Sequence, residues 1–137
     1  MIFHKNYILM EYYLTKKVEG DFDEIIENII DLLSTHGFGI ITRIDVDTTF
    51  KNKLDVDFRR YKILGACNPR FAHEALLIED KLGVMLPCNV IIQEHEDGSI
   101  EVSSINPAVS VGSLNNPKLN NFADHISNIL KDVLNKL

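Results

Sequence analysis

The stretch EGDFDEIIENIIDLLSTHG, residues 19–37, decides how the rest of the chain folds. Asp21 stands where a helix N-cap belongs, and Glu24 follows three residues later. At that spacing the two side chains satisfy amides that a helix start leaves unpaired. Phe22, Ile25, Ile26, Ile29, Ile30 and Leu33 recur at helical spacing on one face, and Gly37 suits the left-handed residue after a helix. At the far end of the chain Asn116-Pro117 opens a second long helix. There Leu119, Phe122, Ala123, Ile126, Leu130, Val133, Leu134 and Leu137 line one side. Two long helices, each apolar on one side only, should cover the same face of one sheet.

The strands of that sheet lie between and before them. EYYLTKKV (11–18) is rich in β-favouring side chains, and FGIITRIDV (38–46) follows the first helix with almost no connection. Asp47 is placed to cap a shorter helix over TTFKNKL. RYKILGAC (60–67) is a third strand, after which Asn68-Pro69 makes a favourable cap and first turn for the helix PRFAHEALLIED. Leu82–Leu86 leads into a fourth strand, CNVIIQEHE. Asp97-Gly98 signals a tight hairpin with positive φ at both turn positions, and SIEVSSI is the fifth strand. Residues 106–116 read as an irregular loop. The order β-α-β-α-β-α-β-β-α makes this an α+β two-layer sandwich with a mainly antiparallel sheet. The face of the sheet away from the helices must then meet water, a ligand or a second subunit. Val90, Ile91 and Ile92 in succession indicate that it is not wholly polar, which favours a homodimer or a pocket.

At 137 residues the chain fits one domain, expected over 11–137 behind an N-terminal extension at 1–10, with Met10 a second candidate start. The 45% hydrophobic and 25% charged content is that of an ordinary globular protein. A net charge of −6 disfavours a general nucleic-acid surface. The local cluster of Arg59, Arg60 and Lys62 reads as a solvated strand edge or loop. The opening MIFHKNYILMEYY has polar residues breaking its apolar run, so neither a signal peptide nor a membrane span is expected. Two cysteines without a secretory signal point to a reducing compartment, and the expected location is cytoplasmic.

Those cysteines carry the one chemical pattern that stands out. ILGACNP (63–69) and GVMLPCNV (83–90) each place Asn after Cys with a proline beside the pair. Cys67 ends a strand just before a helix, where unpaired amides and the helix dipole stabilise a thiolate. His73 falls in the first turns of that helix. If strands three and four are neighbours, Cys88 comes near Cys67, and the amides of Asn68 and Asn89 can hold a carboxylate, an amide or a water. Together Cys67, Asn68, His73, Cys88 and Asn89 are the candidate ligand-binding residues, with Cys67 the candidate nucleophile. A disulfide needs Cα atoms within about 7 Å, and no Cys-x-x-Cys supports thioredoxin-like exchange. Cys67, Cys88 and His73 would supply the three ligands a zinc site needs at least, but the spacing matches no familiar finger. No metal and no cofactor is assigned. Against all of these stands plain packing, with cysteine as a small hydrophobe, Asn68 as a cap and Pro69 and Pro87 fixing the backbone where it turns. Packing gives no reason for Cys-Asn to occur twice. His95, between Glu94 and Glu96, reads as exposed edge charge.

HGFGIITRIDV, YKILGACNPRFAHEAL, LGVMLPCNVIIQE and SINP, in this order, resemble the domain-of-unknown-function family 302 from about Glu19 to the C-terminus. The resemblance implies a small α+β domain with a topology likened to the TATA-binding protein, commonly self-associating, and it implies no DNA binding and no activity. Two positions depart from the pattern. Arg43 stands where an acidic residue is more usual, and Arg60 where proline is common. A carboxylate contributed at the first position would be absent here, although Asp45 shares its strand face. The expected function is binding of a small ligand or partner near the Cys-Asn motifs without catalysis. A thiol-dependent enzyme or redox sensor using Cys67 and Cys88 is the alternative, and a structural dimerisation module a third.

Overall fold

The computed structural model describes residues 11–137. The extension expected at 1–10, and with it the choice between Met1 and Met10, lies outside the described residues. Strand β1 (Tyr13–Val18) leads to helix α1 (Phe22–Thr35), strand β2 (Gly39–Asp45) and helix α2 (Val46–Leu54). Strand β3 (Tyr61–Cys67), helix α3 (Pro69–Ile78) and a 3-10 segment (Asp80–Met85) follow, then the hairpin of β4 (Cys88–Glu94) and β5 (Ile100–Ile105). The chain finishes with a short helix α4 (Pro107–Ser110), a 3-10 turn (Gly112–Leu114) and helix α5 (Pro117–Asn135). Among the described residues the strands form one antiparallel sheet in the order β1-β5-β4-β3-β2.

Register gives each face its character. One cross-strand row runs Leu14, Ser104, Val90, Leu64, Arg43, and the next row on the other face runs Thr15, Ser103, Ile91, Ile63, Ile44. Leu64 and Val90 are buried under α1 and α5, with Phe22, Ile25, Ile26, Ile29 and Leu33 from the first helix and Leu130, Val133 and Leu134 from the last. The two long helices do pack on one face of the sheet. Each fully buried Ile or Leu of that face contributes about 1.5–3 kcal/mol. A smaller cluster of Ala75, Leu82 and Leu119 joins α3, the 3-10 segment and the first turn of α5.

The cap assignments at Asp21 and Asn68 hold, their side chains accepting from the amides of Glu24 and Phe71, but among the described residues the Glu24 side chain makes no return bond to the Asp21 amide; Asn116, which opens α5, accepts from the Lys118 amide. Other local readings need correction. Helix α2 starts at Val46 with Asp45 in the cap position, while the Asp47 carboxylate reaches β3 instead. It accepts from the Tyr61 amide at 3.1 Å and the Lys62 ammonium at 2.9 Å, because the register sets Lys62 opposite Asp45. At the hairpin only Gly98 has positive φ, so His95–Gly98 forms a wider turn with the Asp97 carboxylate accepting from the Ser99 amide and hydroxyl. Residues 106–116 are not an irregular loop. Asn106-Pro107 starts α4 as Asn116-Pro117 starts α5, each proline lacking only an amide that a helix start leaves unpaired.

Asn106 is also a buried polar anchor. Its Oδ1 accepts from the Ser127 hydroxyl at 2.7 Å, its Nδ2 donates to the Glu11 carbonyl, and its backbone amide donates to Tyr12. Ser127 in turn accepts from the Ala108 amide. The turn after β5 is thereby tied to both β1 and α5.

Candidate functional site

The two Cys-Asn motifs meet at one end of the sheet, where β3 and β5 finish and β4 starts. Ala66 stands opposite Cys88 in the β3–β4 ladder, and Gly65 opposite Asn89. Gly65 is required by close packing: a Cβ there would collide with the Thr42 hydroxyl and lie 2.7 Å from Pro87 Cγ. The glycine of ILGAC thus makes room for the proline of LPC. A similar fit joins HGFG to CNP. Gly37, at φ +85°, comes so close to Asn68 that a Cβ would lie 2.9 Å from Nδ2. The three stretches are therefore neighbours in space.

Over this end of the sheet lies a cavity of about 260 Å³. Its floor includes Ala66, Cys67 and Cys88, and its walls come from α3, the 3-10 segment, α4 and α5. It exists because small side chains face one another there. Ala72 and Ala75, three residues apart on α3, look across to Ala123 on α5. Phe71, Met85 and Ile126 complete a mostly apolar wall, and the polar atoms are the two thiols, Asn68 and Ser110.

Of the five candidate residues, Cys67, Asn68 and Cys88 line this cavity. His73 is exposed on α3 and does not line it. Asn89 is exposed on the face of the sheet away from the helices, since it alternates with the buried Cys88 and Val90. Both cysteines are free thiols. Burial pushes the Cys88 thiol up to about 11, and the neighbouring Cys67 adds to the rise. Cys67 itself is half-buried. Among the described residues no group of three or more His, Cys, Asp or Glu side chains is placed to hold a metal ion. The alanines, Met85 and Ser110 were not singled out in the sequence; the i, i+3 pair Ala72/Ala75 in an otherwise bulky helix is the signal that could have found them.

The departures seen in the sequence are absorbed by ion pairs. Arg43 Nε lies 3.1 Å from Asp45 Oδ1. Arg60 makes two hydrogen bonds to Glu94 and lies over the Phe22 ring, 4.3 Å from its centroid. Arg59 hydrogen-bonds Gln93 and stacks on Phe58. His95, read as exposed edge charge, is part-buried and pairs with Glu101 at 2.8 Å, and Glu101 also accepts from Thr15. No described helix is long and apolar enough to cross a membrane.

No curated protein matches this chain. Among solved structures, the crystal structure of an uncharacterized conserved DUF302 protein from Bacillus stearothermophilus is similar, at 28% identity and a TM-score of 0.85 over 90% of this chain and 96% of that one. The model of one family, described as a domain of unknown function, matches residues 14–137. The chain, from β1 to its last residue, belongs to the DUF302 family.

Proposed function

We propose that this chain is a binding domain for a small apolar molecule, held in the cavity between the CNP and LPC turns. The observation that carries the reading is the cavity itself, about 260 Å³ with a mostly apolar wall and few polar atoms. Sites for small ligands have this character, apolar with a few placed polar groups. A dry cavity of about 150 Å³ holds benzene, so this one suits a molecule of about ten non-hydrogen atoms. Cys88, its thiol pushed up to about 11 by burial, stays protonated at neutral pH and is a poor resolving partner for Cys67, which weakens the two-cysteine redox alternative.

Tetralin, a fused bicyclic hydrocarbon, is the probe of choice. Added to the protein, it should shift the amide resonances of Cys67, Ala72 and Ile126 and raise the thermal midpoint; at a hundred times its Kd the stabilisation is about 2.7 kcal/mol. Ala72→Phe, which fills the cavity from a half-buried helix position, should abolish both effects while retaining the far-UV spectrum. No shifts in the wild type, or equal shifts in a folded Ala72→Phe, would sink the reading.

A second reading concerns the other face of the sheet. Ile44, Ile63 and Ile91 stand in one cross-strand row there, with Ile44 50% exposed, and α2 buries no residue. A second copy of the chain laid on this row would remove that apolar surface from water. Ile63→Lys should then convert a dimer to a folded monomer in sedimentation velocity; a wild-type monomer, or a dimer indifferent to the change, counts against it.

A further inference from the structure

Leu82 and Met85 have a space on each side of them. On one side is the cavity over the Cys-Asn turns. On the other is a groove of about 390 Å³ between the 3-10 segment, the 3-10 turn and the start of α5. Leu82 and Met85 line both spaces, and no other described residue does. Leu82 is buried and packs with Ala75 and Leu119, so it is a fixed divider. Met85 is 40% exposed, and its unbranched thioether side chain adapts to whatever lies against it. The groove continues the apolar lining with Val84, Leu114 and Leu119, of which Val84 is 90% and Leu114 41% exposed. The fold itself leaves that apolar surface in water. Glu79, Lys81 and Asn116 also line the groove, so it is the more polar end of the pair.

From this we infer that the ligand of the cavity is a linear alkyl or acyl chain of about fourteen carbons or more, which fills the cavity, passes Met85 and lies along the groove with its polar end outward. The inference rests on the proposed binding function and names the chemical class of its ligand. The cavity alone holds about ten non-hydrogen atoms, and the remaining methylenes cover Val84 and Leu114. Shape does the selecting. The two spaces join only at Leu82 and Met85, a waist that a single run of methylenes can cross, whereas a fused ring system stays in the cavity.

The test compares octanoate, which the cavity alone can hold, with tetradecanoate, by titration calorimetry below micelle-forming concentrations and with tetralin as competitor. Tetradecanoate should displace tetralin and bind more tightly than octanoate by about twofold for each added methylene, the gain for half-burial. Val84→Ser combined with Leu114→Ser removes the groove's exposed apolar wall at two surface positions and should cut the ratio of the two affinities about tenfold. An affinity that levels off at octanoate overturns the linear chain and leaves the apolar cavity reading intact. So does tetradecanoate that binds beside tetralin without displacing it, or tetralin binding where neither fatty acid does. A ratio that the folded double variant leaves unmoved overturns the groove as part of the site. If tetralin itself does not bind the wild type, the cavity reading fails and this inference fails with it.

Discussion

Replacing Asn106 with alanine is the sharpest test of how the turn beside the cavity is held. Asn106 is 3% exposed and Ser127 1%, so neither can exchange its partner for bulk water. The substitution removes the acceptor of the Ser127 hydroxyl, whose proton is left buried and unpaired although the oxygen still accepts from Ala108. Stranding such a group costs about 1–3 kcal/mol, and the lost bond to the half-buried Glu11 carbonyl adds about 1 more. Asn106→Ala should therefore lose about 2–4 kcal/mol in total. Ser127→Ala strands the Ala108 amide and the Asn106 Oδ1 instead, at a comparable cost. Because each single change leaves the other partner buried without a bond, the double variant should lose less than the sum, with a coupling of about 1 kcal/mol or more. Equilibrium urea unfolding followed by far-UV circular dichroism measures all four proteins, the chain having no tryptophan to report by fluorescence. Costs that add within about 0.3 kcal/mol would refute the shared bond and with it the account of the Asn106-Pro107 turn.

Two further outcomes follow from the protonation of named groups. Burial alone would raise Asp47, but bonds from Lys62 and the Tyr61 amide outweigh it and hold the carboxyl below its usual range. A folded-state value below the unfolded one stabilises the protein at pH above about 4 and is lost as pH falls through the folded value. The urea midpoint of Asp47→Asn should thus lie below wild type at pH 7 and converge on it in acid; a gap that stays constant with pH contradicts the pairing. Cys88, with its thiol pushed up to about 11, should resist iodoacetamide in the native protein at neutral pH and react readily once unfolded, as read by peptide mass spectrometry. Native labelling of Cys88 at the unfolded rate would show that the cavity floor is open.

The layers of this fold were legible in the sequence because they rest on long periodic patterns. The apolar stripes from Phe22 to Leu33 and from Leu119 to Leu134 can be buried in only one way, against one sheet face. Short segments were less legible, since a single contact decides them. Asp47 has the chemistry of a cap, yet the register that puts Lys62 opposite Asp45 draws its carboxylate across to β3. Asp97-Gly98 has the composition of a two-residue turn, yet the Asp97 side chain bonds Ser99 and widens it. Ser127 is a buried hydroxyl on α5 whose place is explained only by its partner, Asn106, 2.7 Å away. The cavity was legible only by half. Its cysteines and Asn68 stand out as a motif, whereas a space between helices is made by what is missing, and alanines at 72, 75 and 123 look in sequence like ordinary helix formers.

The repetition of Cys-Asn, which packing alone left unexplained, resolves differently at its two occurrences. At 67–68 the pair straddles a strand-to-helix junction, so both residues can border the same space, and both do. At 88–89 the pair lies within a strand, where neighbouring side chains point to opposite faces. Cys88 goes to the cavity floor and Asn89 to the face that carries Ile44, Ile63 and Ile91. The second motif therefore cannot mirror the first as half of a symmetric site. It belongs to two surfaces at once, the cavity through its cysteine and the far sheet face through its asparagine. Changes at Asn89 should leave tetralin binding alone and act, if anywhere, on whatever covers that face. A change at Asn89 that weakened tetralin as much as Ala72→Phe would show that the strand is not pleated as described.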